Sequence, residues 1–587
     1  MDQVLSSEFQ RIKTKAVDLR TEGRKWRKAE FEQRAIRNWR YFIGDHWHGK
    51  RMPRRKAKLV INHCAKIVRH HLPLLTDARP QMAIYPREPG DVNAAEVADR
   101  LFQFKWDVLK MDVKRAIAYL YALIFGIAWF HPRIDPYERD GFGDLAIDVP
   151  DPWFVMPDPN VTWTISPWEA IKDAEFVVYE RPVPLRRIKR LVQELGRNPE
   201  RARAAGLVEG TIEHIERLTG GSKQPKSKPP WARTALLTEA GVAIETIPLS
   251  ETTGSQQMFV PSKAGGAYKD ADLVTYSEVW MKDADYPEGL VVRLVEDYAI
   301  QIGPNPLKHH MFPFIPIICN PLPGRLLSYG VIDDVIPLND ELNKRRSQVM
   351  DMLNTYIGPP IRGDKGVVED PDEVIYAPGA FIETTPGKTM DVLHLPSFPN
   401  DIWNSAASAE QDIEKISGIG EMIAGRELKA GTPGIAVQDV MEAQLQRIRM
   451  IERLNNGSFV ELGRQGFAIL QQLIVDTGME YVIRVVGEQG MREPFRVDPK
   501  DLRGEFDFEF IPNSAYSLRR QVWFKQLADL KALGAPVPWD ALVDTTDLPD
   551  KEGIKKKMAA EEARLMQEQA AMAAQGMPPG AAMPPGG

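Results

Sequence analysis

The stretch that most constrains this chain lies between residues 327 and 478, where two helical patterns bracket a short region of strand and turn and a third, very long one follows. Ser328 to Tyr356 reads as a helical run, with Leu338, Leu342, Val349, Leu353 and Tyr356 along one side. On the other side Asp340/Lys344 and Glu341/Arg345 stand four apart, acid first, the favourable order for an ion pair on a helix. Gly358-Pro359-Pro360 ends the run, since proline lacks the amide and its ring obstructs the preceding turn. Ile361 to Pro399 is a compact island of short strands and turns. A second helix follows, with Ile402, Ala406, Ala409, Ile413 and Ile416 on a narrow seam suited to packing against neighbours. The loop GRELKAGTPG (425–434) leads into a helical pattern from Ala436 to Thr477. Asn455-Asn456-Gly457 interrupts that pattern, and a kink is expected there.

The flanks are less regular. The first sixty residues are helical in pattern and dense in Lys and Arg, with Phe9, Ile12, Trp26, Phe31, Ile36, Trp39 and Phe42 as apolar anchors and Gly44 as the stop. A charged helical face of this kind is expected to be solvated. A short strand is expected at Leu59 to Ile61, then helices around 63–76 and 92–126. The apolar run Leu120–Phe130 is too short to span a membrane and reads as a buried helix entering a strand. Strands and turns are expected from Ile127 to Val177, and a helix near 184–196. A β-hairpin is expected over 273–300, with its turn at DYPEG (285–289). The polar stretches 220–230 and 254–266 read as loops. After Gly478 the period switches to strands: YVIRVVG (481–487), and EFDFEFI (505–511), where Phe506, Phe508 and Phe510 share one face. Helices near 516–533 and 551–574 and a disordered tail complete the chain.

Composition narrows the function. The chain has 587 residues and a formal net charge of −6, with a pI near 6.0. Such a balance argues against a simple basic nucleic-acid binder, so any DNA contact must be local. Cys64 and Cys319 are the two cysteines, too few for a disulfide framework or a cysteine-rich zinc site, and the usage fits synthesis in a reducing cytoplasm. The N-terminus has no apolar region of the signal-peptide kind.

Catalytic motifs fail on inspection. GDHWHGKR (44–51) matches the spacing of a phosphate loop, but Arg51 stands where a Ser or Thr should ligate magnesium, and a helix rather than a strand precedes it. His46 and His48 stand two apart with no third ligand at a recognisable spacing. His63-Cys64 adjacency does not make a catalytic dyad. No enzyme activity, cofactor or metal is expected. Candidate DNA contacts are Lys344, Arg345 and Arg346 on the first helix, and Arg426 and Lys429 in the glycine-containing loop. The helix cluster can equally pair with Asp340 and Glu341 or with a neighbouring subunit. The loop bases have only Glu427 nearby.

Taken in order, the helix, β-island, helix, glycine loop and long helix resemble the core of tailed-bacteriophage portal proteins. The resemblance rests on Ser328-Tyr329-Gly330, PGAFIETTPGK (378–388), Ser417-Gly418-Ile419 and GTPGIAVQ (431–438). NWRYFIGDHW (38–47), INH (61–63) and MPDPN followed by DAEFV (173–177) are similar to portals of short-tailed phages; residues 219–267 have no match. The resemblance implies an α+β, mainly helical portal fold: a wing (1–326), first stem helix (327–357), small clip (358–399), second stem helix (400–424), tunnel loop (425–435), long kinked wing helix (436–478), wing strands (479–512), a short crown (513–574) and a tail (575–587). It also implies a ring of about twelve subunits closed by cyclic symmetry at a capsid vertex of the virion. Double-stranded DNA would pass through it during packaging and ejection. Its partners would be the terminase large subunit, the tail adaptor or head-completion protein, and the major capsid and scaffolding proteins, with no membrane. Arg362, Asp364 and Lys365 of the clip would face terminase and then the adaptor. The alternatives are another structural virion protein, such as a tail adaptor or minor capsid protein, and a nucleic-acid enzyme.

Overall fold

The computed structural model describes residues 2–50, 56–76, 81–88, 92–136, 143–162, 166–196, 208, 211, 215, 273–357, 361–367, 385–392, 401–418, 434–478, 480–486, 492–500, 502, 504–511, 527, 530, 531 and 543. The α-helices among them are α1 (Asp2–Trp26), α2 (Gln33–Ile43), α3 (His63–Thr76), α4 (Val92–Val108), α5 (Met111–Phe125), α6 (Pro167–Lys172), α7 (Leu185–Gly196), α8 (Ile336–Ile357), α9 (Asp401–Ser417) and α10 (Gly434–Thr477), with a π-helical segment, Arg27–Glu32, joining α1 to α2. The strands are β1 (Gln81–Pro86), β2 (Ile127–Asp135), β3 (Asp144–Asp148), β4 (Val155–Pro157), β5 (Phe176–Pro184), β6 (Leu273–Asp283), β7 (Tyr286–Val295), β8 (Tyr298–Pro304), β9 (Ile315–Ile318), β10 (Asn320–Leu322), β11 (Arg325–Tyr329), β12 (Ile361–Gly363), β13 (Met390–Val392), β14 (Tyr481–Val486), β15 (Arg492–Val497) and β16 (Phe506–Ile511). The mixture is α+β, as expected. The chain divides into two compact units, one of residues 1–75, 113–133 and 146–465, the other of 76–112, 134–145 and 466–587.

The first unit is built around an antiparallel sheet in the order β4-β5-β6-β7-β8. Successive side chains of a strand point to opposite faces, so β6 serves two cores. Val279 and Met281 join Val178, Val292, Leu294 and Ala16 of α1. Val274 and Tyr276 join Val183, Val295 and α7's Leu185, Ile188 and Val192. The expected hairpin is present, but its turn is tighter than DYPEG: Asp283 pairs with Tyr286, and β8 adds a strand not anticipated.

The face of α1 is not solvated as expected. Arg20 of α1 and Arg27 just beyond it are buried, because this stretch lies over the sheet and its arginines meet acids there. Glu180, with no exposed surface, takes Arg24 at 2.7 Å and Arg27 at 3.4 Å and the Ser277 hydroxyl at 3.2 Å. Arg20 donates to Asp297 and to the Glu296 carbonyl.

The apolar run from Leu120 is a buried helix end and strand, as read. Gly126 joins them at φ +91°, and a Cβ there would lie 2.0 Å from the Ser328 carbonyl oxygen. That approach corrects the start of the next helix. Ser328 is not helical: its hydroxyl donates to the Gly126 carbonyl and accepts from Cys319 N at 3.3 Å. A Cβ on Gly330 would meet the Leu123 and Ile124 carbonyls at 2.6 Å. Residues 325–329 are therefore a strand against the end of α5, and α8 begins at Ile336.

α10 runs unbroken from Gly434 to Thr477, so Asn455-Asn456-Gly457 does not interrupt it. These residues answer to neighbours instead. The Asn455 amide accepts from Ile318 N at 2.9 Å and donates to Ile318 O at 2.8 Å, completing the edge of β9 as a further peptide would. Gly457 leaves space for Ser166, whose Oγ would sit 2.6 Å from a Cβ there.

In the second unit β1 pairs with β16, from Gln81–Ile511 to Pro86–Phe506, and β14 with β15. The alternation read in β16 holds where its side chains are described: Phe506 and Phe508 pack on Phe467, with centroids 5.4 and 5.6 Å away. Buried Lys105 pairs with Asp144, which also accepts from the Tyr481 hydroxyl at 2.9 Å. Of the segments 516–533 and 551–574, only scattered positions of the first fall among the described residues.

Candidate DNA-facing surface

α8 carries the first group of candidate bases, and its surroundings explain what they are free to do. Asn339, Asn343, Ser347 and Asp351 recur every fourth residue, so they stack along one face of the helix. Such residues are mediocre in helix interiors because they compete for backbone groups. Here they are matched to a second segment. Backbone amides of Ala57, Leu59, Ile61 and His63 donate to Asp351 Oδ1 (2.6 Å), Ser347 Oγ (3.0 Å), Asn343 Oδ1 (2.8 Å) and Asn339 Oδ1 (3.0 Å). Every second amide of an extended segment thus meets every fourth residue of a helix. This corrects the expected strand at 59–61: the segment is an extended strap whose inward amides use side-chain acceptors, and buried amides require acceptors of some kind.

His46 locks the upper rungs. It is buried, stacked on Tyr41 with centroids 4.7 Å apart, and its Nε2 lies 2.9 Å from the Tyr41 carbonyl. That carbonyl can only accept, so the proton sits on Nε2. Nδ1 then accepts from Asn343 Nδ2 at 2.7 Å and Asn339 Nδ2 at 3.2 Å. Burial holds His46 below the usual histidine pKa, consistent with the neutral ring. Burial also pushes the Cys64 thiol up to about 12, and burial of Cys319 raises its thiol pKa as well, which disfavours the thiolate at both.

The pairing of Asp340 departs from expectation. It does not hold Lys344; it accepts from the Tyr41 hydroxyl at 2.6 Å and Lys50 Nζ at 2.7 Å. Glu341 does reach Arg345, at 3.6 Å. Lys344 is exposed and has no acidic partner among the described residues. Arg346 is half-buried. Trp47, Lys50, Asp340, Glu341, Lys344 and Arg345 line an open depression of about 460 Å³.

Of the clip candidates Arg362 lies on β12, facing Asp391 of β13 in register, and Asp364 and Lys365 lie in the turn just beyond it. Asp364 is committed within the chain. Its carboxylate accepts from Thr389 N at 3.0 Å and Thr389 Oγ1 at 3.1 Å, and these bonds hold it below the usual aspartate pKa. Lys388 donates to the carbonyls of Lys365 and Gly366, at 2.8 and 3.1 Å. The exposed side chains of Arg362 and Lys365 have no partner among the described residues. Arg426 and Lys429 lie outside the described residues.

No group of three or more His, Cys, Asp or Glu among the described residues could hold a metal ion. No described helix is long and apolar enough to cross a membrane. The surface offers exposed cations and a half-buried tryptophan, which suits contact with an anionic polymer or another protein. Sequence reasoning missed the strap and its lysines; the visible trace was the four-residue spacing of Asn339, Asn343, Ser347 and Asp351. A family model described as phage P22-like portal protein matches residues 20–583. No curated protein matches the chain.

Proposed function

The chain belongs to the phage P22-like portal protein family, and from that membership we propose that its copies close into a ring at one capsid vertex and form the channel for double-stranded DNA. The family is structural, and the match over nearly the whole chain is the observation that carries this reading. The ring has about twelve subunits, made by one head-to-tail contact repeated until it closes. It admits DNA during packaging with the terminase large subunit docked, then binds the tail adaptor and releases DNA on ejection. Major capsid and scaffolding proteins surround it in the virion. The motifs at 38–47 and 61–63 favour a short-tailed phage.

Within this reading α8 and α9 are the stem and the β12–β13 ribbon belongs to the clip. Arg362 and Lys365 meet terminase and then the adaptor, while Asp364 shapes the turn that presents them. Arg426 and Lys429 belong to the loop that narrows the channel. The chain guides DNA without chemistry of its own; ATP turnover comes from the terminase. A conduit must not grip, because each neutralised phosphate adds salt-dependent affinity that sliding has to break. The net charge of −6 agrees with a weak hold. Electron microscopy of the purified chain with native mass is the test. A closed ring with a central channel is expected; a stable small oligomer without a channel, at high concentration and with scaffold present, would sink the reading.

A further inference from the structure

Between Asp45 and Asp77 the chain carries eight Lys or Arg residues and no Asp or Glu. In a protein of net charge −6 this is the place where positive charge is least compensated by sequence. The strap sets that charge against α8. With Ala57 at the level of Asp351 and Ile61 at the level of Asn343, Lys56 and Lys58 run beside the second half of the helix. Lys50 and Lys344 line the depression beside its first half.

Among the described residues the nearby acids are paired elsewhere or hydrogen-bonded to the backbone, and none forms an ion pair with Lys56, Lys58 or Lys344. Asp351 accepts the Ala57 amide, Asp340 binds Tyr41 and Lys50, and Glu341 binds Arg345. Lys56, Lys58 and Lys344 are left without an acidic partner among the described residues. We propose that Lys56, Lys58 and Lys344, with Lys50 at the end of the row, form one electrostatic track that takes the phosphate backbone of double-stranded DNA without reading its sequence. The proposal rests on the portal reading for the presence of DNA; the residues come from the ladder that presents the strap.

Duplex is favoured over single strands by what surrounds the lysines. Single-strand sites stack bases on open aromatic faces, whereas Lys50 Nζ already lies 5.6 Å from the centroid of the Trp47 ring. Base reading uses forked donors such as arginine, and Arg345 is engaged by Glu341. Lysines act as point charges and tolerate a backbone moving past them.

The test uses the full chain and a short blunt duplex of arbitrary sequence, with affinity measured across a salt series. The variant is Lys56→Gln/Lys58→Gln/Lys344→Gln. The control removes the same charge at exposed Lys28, Lys110 and Lys500, and thermal unfolding checks that both variants fold. Each phosphate contact contributes about 0.9 to the slope of log affinity against log salt, so the track variant should lose about 2.7 of slope and the control far less. An unchanged slope, an equal loss in the control, or no duplex affinity at low salt overturns the track. If duplex binding is unchanged but binding of polyglutamate is lost, the surface serves an acidic protein and the proposal is wrong. A ring with an unchanged slope removes the track alone, whereas a chain that shows the slope but never closes a ring removes the portal reading.

Discussion

Replacing Asn343 by leucine tests the ladder that fastens the strap to α8. Asn343 is buried and uses both ends of its amide: Oδ1 accepts from Ile61 N at 2.8 Å and Nδ2 donates to His46 Nδ1 at 2.7 Å. Leucine has a similar volume but serves neither group: the Ile61 amide becomes a buried donor without an acceptor, while His46 Nδ1 keeps only the Asn339 amide at 3.2 Å. A buried donor left unpaired costs about 1–3 kcal/mol. The weakened His46 contact adds to that and the better helix propensity of leucine offsets it, so a net loss of about 1–3 kcal/mol is expected. Hydrogen exchange reads it locally. In the parent chain the amides of Ala57, Leu59, Ile61 and His63 should be protected, and those of Lys58 and Val60, which have no acceptor among the described residues, should not. In Asn343→Leu, Ile61 should exchange about 5- to 140-fold faster, since each 1.4 kcal/mol is a factor of ten. Asp351→Asn keeps an acceptor for Ala57 and should change little. Protection without the alternation, or an Ile61 rate within a factor of two of the parent, refutes the ladder as the strap's fastening.

Four other outcomes follow from the packing. Glu180→Gln should destabilise the first unit by about 3 kcal/mol in denaturant titration, because removing one partner leaves buried Arg27 uncompensated; a loss under about 0.5 kcal/mol would mean water reaches the site. Gly457→Ala should destabilise alone, because of the 2.6 Å approach to Ser166 Oγ, but gain up to about 1 kcal/mol in a Ser166→Gly background, where helix propensity is left to act; destabilisation in both backgrounds contradicts the contact. Burial holds His46 and His131 below 6.5 and His309 down to about 4. The unfolded chain therefore takes protons below pH 6.5 that the folded chain refuses, so stability should fall as pH drops from 6.5 toward 4. A melting-temperature series should be shallower in His309→Gln, and a parallel series would discount that residue. Asp364→Ala should speed exchange at the Thr389 amide while leaving β14–β15 amides unchanged; a Thr389 amide that exchanges at the parent rate would show that Asp364 does not hold the turn.

Local pattern carried the reading furthest where neighbours only reinforced it. Phe506 and Phe508 of β16 and the hairpin of β6 and β7 follow periods that survive folding, and of the α9 seam Ala406, Ala409 and Ile413 are buried while Ile416 is exposed. The misses share a different cause. The Asp340–Lys344 pair rested on a helix preference worth about 0.5 kcal/mol or less, and a tyrosine hydroxyl and a lysine from a distant segment outweighed it. Ser328 matched a helical period but lies where β11 approaches the end of α5 too closely for a helix. Asn455 and Gly457 looked like a break because their usual role is local, whereas here each is shaped by one remote partner. Of the candidate surface, the exposure of Lys344 was legible on the helix wheel. The diversion of Asp364 to Thr389 and the strap on α8 were not, since both join residues whose separation in sequence carries no periodic mark.

The strap and α8 also form a vernier. Two residues of extended chain advance about 6.6 Å, while four residues of helix advance about 6.0 Å and turn about 40° past a full revolution. Each rung therefore slips by about 0.6 Å and swings by about 40°, so the strap must wind around the helix to keep its amides on their acceptors. From His63 to Ala57 the winding reaches about 120° and the slip about 2 Å, near the limit that Asn, Ser and Asp side chains of different reach can absorb. Such a device is self-terminating and counts in twos. Adding or removing a single residue between 57 and 63 would turn every inward amide outward, whereas a pair would shift the strap by one whole tooth, moving its lysines along α8 by a step of about 6 Å.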